Sequence, residues 1–73
     1  MKLDSLPEGQ EAIVQAVCVD GAMRRRLVDF GLIEGTKISC LRKARGCALY
    51  RVRGAIVALR CKDTANICVR LCD

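Results

Sequence analysis

Histidine and tryptophan are absent from this sequence of 73 residues, which also has a single proline, a single phenylalanine and a single tyrosine. Without histidine the chain lacks the side chain that most often acts as a general base, and no arrangement of nucleophile, base and orienting group is recognisable. A phosphate-binding segment of the form Gly-x4-Gly-Lys-Ser/Thr is missing as well. We therefore expect a protein that works by binding a partner and is not an enzyme.

Long apolar runs are also missing. The longest one, residues 55–59, is far shorter than the roughly 20 residues that cross a bilayer. Residues 1–5 have no apolar stretch of the kind found in secretory signals, so we expect a cytoplasmic protein. With no linker or low-complexity segment in the sequence, residues 1–73 are predicted to form one domain with a thin core.

The six cysteines permit three interpretations. Zinc sites usually contain Cys-x2-Cys or Cys/His pairs, and neither is present here. Reduced thiols in the cytosol are the favoured interpretation, with a disulfide framework and a metal site as alternatives. We predict no cofactor and no stoichiometric metal. Cys61 is expected to be a small core residue, whereas Cys68 and Cys72 are expected on the outward face of the last strand.

Hydrophobic periodicity predicts a mainly β fold with one short helix inserted after the first strand. Met23, Leu27 and Phe30 form one apolar stripe of the helix, which Gly31 ends by adopting a left-handed conformation. Strands are predicted at residues 10–17, 36–43, 49–53, 55–61 and 67–72, the last with Ile67, Val69 and Leu71 facing inward. Strands this short and closely spaced favour a small barrel, because closure removes exposed sheet edges.

The charge of the chain is positive, at +5, and Arg24, Arg25 and Arg26 form its longest run of like charge. These arginines are either an ordinary solvated helix surface or a docking patch for an acidic partner, since arginine pairs carboxylates in a bidentate manner. A surface iron site built from the scattered carboxylates is a weaker alternative. Nucleic-acid binding is another, although single strands usually need stacking aromatics and Phe30 is assigned to the helix stripe.

Four segments carry recognisable motifs in a fixed order, at residues 6–12, 21–36, 50–60 and 63–69. Together they resemble the FeoA family. Residues 21–36 resemble its "RRL-x-[DE]-[LMF]-G-[LI]-x-x-G" motif, and residues 50–60 resemble its "y-x-v-x-G-x-x-[IVL]-[AS]-L-R" segment. Residues 6–12 and 63–69 are similar to its opening and closing motifs. Glu34 stands where the family usually has proline, a departure that Gly35 makes tolerable.

This resemblance implies an SH3-like barrel of about five strands and a role in bacterial ferrous-iron transport. It also implies a partner, the FeoB membrane permease, with its cytoplasmic GTP-binding domain as the part that is bound. The same fold occurs as the C-terminal domain of iron-dependent repressors, so a metal-responsive or nucleic-acid-binding module is the alternative function. The partner-binding surface is predicted on the helix and the turn after it, with the side chains Arg24, Arg25, Arg26, Asp29, Leu32 and Glu34.

Overall fold

Five antiparallel strands form the framework of the computed structural model, which describes residues 1–72. A 3-10 helix at Leu3–Ser5 precedes the first strand. The strands and helices that follow are β1 (Glu11–Val17), α1 (Gly21–Asp29), β2 (Lys37–Ala44), β3 (Cys47–Val52), β4 (Ala55–Arg60), α2 (Cys61–Thr64) and β5 (Ile67–Leu71). The predicted mainly β fold, with one short helix after the first strand, is confirmed, and α2 is a further single helical turn.

The strands form one sheet in the order β4-β3-β2-β1-β5, and all neighbouring strands run antiparallel. Irregularities in register between Val14 and Ala16 and between Cys40 and Arg42 bend β1 and β2, because a bulge increases local twist. Within residues 1–72, β4 and β5 are not paired with each other, and α2 connects them. The sheet is therefore not closed between β4 and β5, and the expectation that closure would remove the sheet edges is wrong for these two strands.

One cluster of buried side chains lies inside the curved sheet and collects residues from all five strands. Alternation along β3 buries Ala48, Tyr50 and Val52 and exposes the residues between them, as period-two patterning requires. The remaining buried members come from the other strands, the N-terminal segment, α1 and its flanking turns, namely Leu3, Leu6, Ala12, Val14, Val19, Leu27, Leu32, Ile38, Cys40, Val57, Leu59, Ile67 and Val69.

Helix α1 contributes one fully buried side chain to this core, Leu27, with Met23 packed at its margin. The third member of the predicted stripe, Phe30, is not buried but 38% exposed. It follows the last helical residue as the C-cap, where the chain turns toward Gly31, so its side chain leaves the stripe. Neither described helix is long or apolar enough to span a membrane.

Strand β5 shows a similar departure at its end. Ile67 and Val69 are buried as predicted, but Leu71 is 45% exposed because it lies where the strand ends. Cys68 is half-buried and not freely exposed, since Lys2 forms an isolated bridge with it and the Lys2 Nζ donates to its Sγ at 3.3 Å. Cys61 is also half-buried, because it begins α2 and does not continue the alternation of β4.

Replacement of Leu27 by aspartate is expected to destabilise the domain severely. An unpaired carboxylate would be buried at a cost of several kcal/mol, a large part of the roughly 5–15 kcal/mol that stabilises a domain. The matched control is Val28→Asp, since Val28 is its neighbour in α1 and is 44% exposed. Urea unfolding should show a large loss for Leu27→Asp and a change of at most about 0.5 kcal/mol for Val28→Asp. Equal stability of the two variants would show that α1 is not packed on the sheet.

Stability is also expected to fall at alkaline pH because of Tyr50. Burial raises the pKa of its hydroxyl from 10.0 to about 12. Between these values the unfolded chain releases the proton that the native protein keeps, so the free energy of unfolding decreases with pH. The loss begins near pH 10 and reaches at most about 1.4 kcal/mol per pH unit. In Tyr50→Phe, the unfolding free energy measured in urea should not show this decrease with pH. An equally steep decrease in that variant would show that groups other than Tyr50 cause it.

Candidate partner-binding surface

The C-terminus of α1 is fixed by a Schellman motif. The N–H of Leu32 donates to the Leu27 carbonyl at 2.9 Å, and the N–H of Gly31 donates to the Val28 carbonyl at 2.9 Å. Gly31 has a φ of +91°, the left-handed conformation that the sequence predicted for it. Leu27 and Leu32 are both fully buried, so the motif includes its usual hydrophobic contact. This packing sets the direction in which the exposed face of α1 points.

Gly31 also lies directly against the β3–β4 turn. A Cβ atom added to Gly31 would stand 2.7 Å from Cδ of Arg53, too close for real contacts. Arg53 and Gly54 both have positive φ, at 52° and 81°, as a tight two-residue hairpin requires. The absence of a side chain at Gly31 therefore lets the arginine stem pack over the end of the helix.

The turn after α1 is bonded to strand β1 through main-chain atoms. The N–H of Gly35 donates to the Val14 carbonyl at 2.8 Å, and the N–H of Val14 donates to the Thr36 carbonyl at 2.9 Å. Thr36 is buried, and its Oγ1 has no hydrogen-bond partner among residues 1–72. The helix and the turn thus form one surface held by the sheet.

The three consecutive arginines do not form one patch. Successive helical residues are rotated by about 100°, so Arg24, Arg25 and Arg26 point in three directions. The Nη1 of Arg24 donates to the Val17 carbonyl at 2.8 Å, which ties that side chain to the end of β1. Arg26 lines a groove on the opposite side of the helix, beside β4. Arg25 is exposed and shares its face with Asp29, one turn further along.

Five of the six predicted surface residues are exposed. Arg24, Arg25, Arg26, Asp29 and Glu34 all face solvent in the structure. The sixth, Leu32, is wrong as a partner-binding residue, because it is fully buried as the last member of the Schellman motif. Two exposed apolar side chains that sequence analysis did not select, Val28 and Ile33, lie next to it at the surface.

Two grooves flank α1, and we name them after the strands that bound them. The β1 groove has a volume of 230 Å³ and the lining residues Gln15, Ala16, Val17, Arg24, Val28, Leu32, Ile33 and Glu34. The β4 groove has a volume of 540 Å³ and the lining residues Met23, Arg26, Phe30, Ile56, Val57, Ala58, Leu59, Arg60 and Asp63. The β1 groove contains two predicted partner-binding residues with exposed polar groups, Arg24 and Glu34.

A third concavity of 500 Å³ lies beside the turn after α1 and contains both Glu34 and Arg53. Among the described residues, no three cysteine, aspartate or glutamate side chains come together as a set that could hold a metal ion. Burial raises the pKa of the Cys40 thiol, which keeps this core cysteine protonated and unreactive. The described surface thus offers side chains for docking and no assembled set of metal ligands.

The placement of the aromatic side chains bears on nucleic-acid binding. Tyr50 is 1% exposed and cannot stack on a base. Phe30 is exposed, contrary to the expectation, but it is then the single accessible aromatic of the sequence. Single-strand binders usually stack successive bases on several aromatics. With one accessible aromatic side chain, this surface does not favour nucleic-acid binding.

Comparison with known proteins agrees with the sequence motifs. The FeoA domain family model matches residues 1–71. The sequence is 33% identical to a protein of Porphyromonas gingivalis named "Fe(2+) transport protein A/Fe(2+) transporter FeoB fusion protein". The alignment has 73 positions and covers 97% of this chain. The aligned part is 9% of the length of that protein.

Solved structures show the same fold. The FeoA protein of Chlorobium tepidum is 33% identical, with a TM-score of 0.94 over 100% of this chain and 71% of its own. The FeoA of Stenotrophomonas maltophilia, described as an SH3 domain protein complexed with zinc, is 27% identical. Its TM-score is 0.84 over 94% of this chain and 88% of its own. The predicted SH3-like architecture is confirmed, and the chain belongs to the FeoA domain family.

Proposed function

We propose that this chain is a cytoplasmic accessory protein of bacterial ferrous-iron uptake that binds the GTP-binding domain of a FeoB-like permease. The observation that carries the proposal is the Porphyromonas gingivalis relative, whose name joins the two proteins in one chain. A covalent connection raises the effective concentration of one module at the other, which benefits modules that must meet. In this role the chain performs no catalysis and changes the permease by contact.

The surface of α1 and the following turn supports a docking role. It carries the exposed charges of Arg24, Arg25, Arg26, Asp29 and Glu34, and none of these forms a salt bridge among residues 1–72. Exposed Val28 and Ile33 lie beside them and supply apolar area for the centre of a contact. Arginine is favoured at such interfaces because its planar guanidinium can donate two parallel hydrogen bonds to one carboxylate.

Charge reversal of Arg24 and Arg25 to glutamate is expected to weaken binding of the permease's cytoplasmic domain by roughly tenfold, equivalent to about 1.4 kcal/mol. The fold should survive, because exposed charges contribute little to stability. Binding by the native chain should weaken as salt rises, since exposed charges are screened beyond about 8 Å at physiological ionic strength. Titration calorimetry with the domain loaded with GTP analogue or GDP measures both effects, and ferrous-iron uptake in cells should fall in parallel.

The matched control is the double variant Arg42→Glu and Arg45→Glu, which alters two exposed arginines at the far end of β2. It changes the net charge by the same amount, from +5 to +1. Full binding by this control and weakened binding by the α1 variant would locate the contact on the helix. Full binding and full uptake with a folded α1 variant would exclude this surface.

A further inference from the structure

The two edge strands of the sheet, β5 and β4, differ in whether another segment of the chain pairs with them. At β5, the Met1 amino group donates to the Val69 carbonyl at 2.9 Å, and the Val69 N–H donates to the Met1 carbonyl at 2.8 Å. Met1 and Lys2 thus pair with that edge through an isolated β-bridge. At the other end, β4 pairs with β3 alone, and no described segment covers its outer side.

The register of the β3–β4 hairpin decides which main-chain groups of β4 are left unpaired. A two-residue loop at Arg53 and Gly54 joins the pair Val52 and Ala55. Residues of an antiparallel pair alternate between bonding to the partner and pointing away from it. Ile56 and Ala58 therefore direct their N–H and carbonyl groups outward, and neither forms a main-chain bond to a turn or loop among residues 1–72.

Residues 55–59 of strand β4 also lack the side chains that usually protect an edge. Natural edge strands carry lysine, proline or inward-pointing charges that prevent pairing with another chain. Residues 55–59 are all apolar, and Ile56 is the most exposed large apolar side chain of the domain, at 58%. An unprotected edge of this kind is a template for a further strand.

Helix α1 converts this edge into a groove with two walls. Met23 and Phe30 form the apolar part of the helix wall, and the 540 Å³ of the β4 groove lies between them and the strand. Arg26 on the helix and Arg60 at the end of β4 supply positive charge. Arg60 is 58% exposed even while its Nε contacts Asp63 at 3.0 Å.

We propose that the β4 edge binds an extended segment of a partner protein that alternates apolar and acidic residues and adds to the sheet as a further strand. Its main chain bonds to Ile56 and Ala58, its apolar side chains pack on Met23 and Phe30, and its carboxylates lie beside the arginines. A second copy of this chain fits poorly, because it would bring its own Arg60 on β4 and a net charge of +5 to the same place. The proposal does not require the partner to be the permease.

The test uses the full chain and a synthetic peptide that alternates glutamate and valine over about eight residues, enough to span the six of β4. Fluorescence anisotropy should show saturable binding, and amide hydrogen exchange at Ile56 and Ala58 should slow when the peptide is bound. A peptide of the same composition with its valines contiguous should bind at least tenfold more weakly. Binding without slower exchange at these two amides would overturn the proposal.

Two protein variants distinguish peptide binding at the β4 edge from nonspecific binding to any exposed apolar side chain. Ile56→Glu should weaken binding of the acidic peptide at least tenfold by repelling its carboxylates, whereas Leu49→Glu should change it by less than about twofold, since β3 is paired on both sides. Leu49 is a matched position because it is also an exposed apolar residue, at 39%. Equal effects of the two variants would overturn the proposal. Self-association that protects the Ile56 and Ala58 amides would assign the edge to a second copy and overturn it as well.

Discussion

Strand β1 is the element on which the other parts of the structure depend, because its main chain is bonded along both sides. It pairs with β2 on one side and β5 on the other, and Val14 also bonds to the turn after α1. The core of a 73-residue chain is thin, and Leu27 is the one fully buried side chain of α1. The hydrogen bonds of β1 therefore add to the packing of Leu27 in positioning the sheet, the turn and the exposed surface of α1 relative to each other.

A single helix then separates two surfaces of different character. The β1 groove combines charged and apolar groups from α1 and its turn, whereas the β4 groove combines apolar walls with unpaired main-chain groups. Consecutive arginines contribute to both, because helical rotation sends Arg24 to one side and Arg26 to the other. The two grooves, and the binding surfaces proposed for them, therefore lie on opposite sides of one helix.

Most of the fold could be predicted from the sequence, because hydrophobic periodicity and the residue preferences of turns depend on residues that are close together in the chain. The position of Gly31 after an apolar stripe predicts the end of the helix, and the alternation of the last strand predicts the burial of Ile67 and Val69. Burial at the ends of elements depends on tertiary packing and could not be obtained in this way. Phe30 keeps helical spacing but lies beyond the last turn, and Leu32 follows a glycine in what resembles an exposed turn yet closes the Schellman motif. The open β4 edge depends on strand order, which no periodicity encodes.

The burial of Tyr50 has a practical consequence for the study of this protein. It is the single tyrosine in a chain without tryptophan, and it lies on the central part of β3 between Cys40 and Val57. Its tyrosine absorption band and its emission therefore report on one known place in the core. A partner carrying tryptophan can be observed at longer wavelengths without interference, so energy transfer from Tyr50 to that tryptophan offers an optical ruler that needs no label.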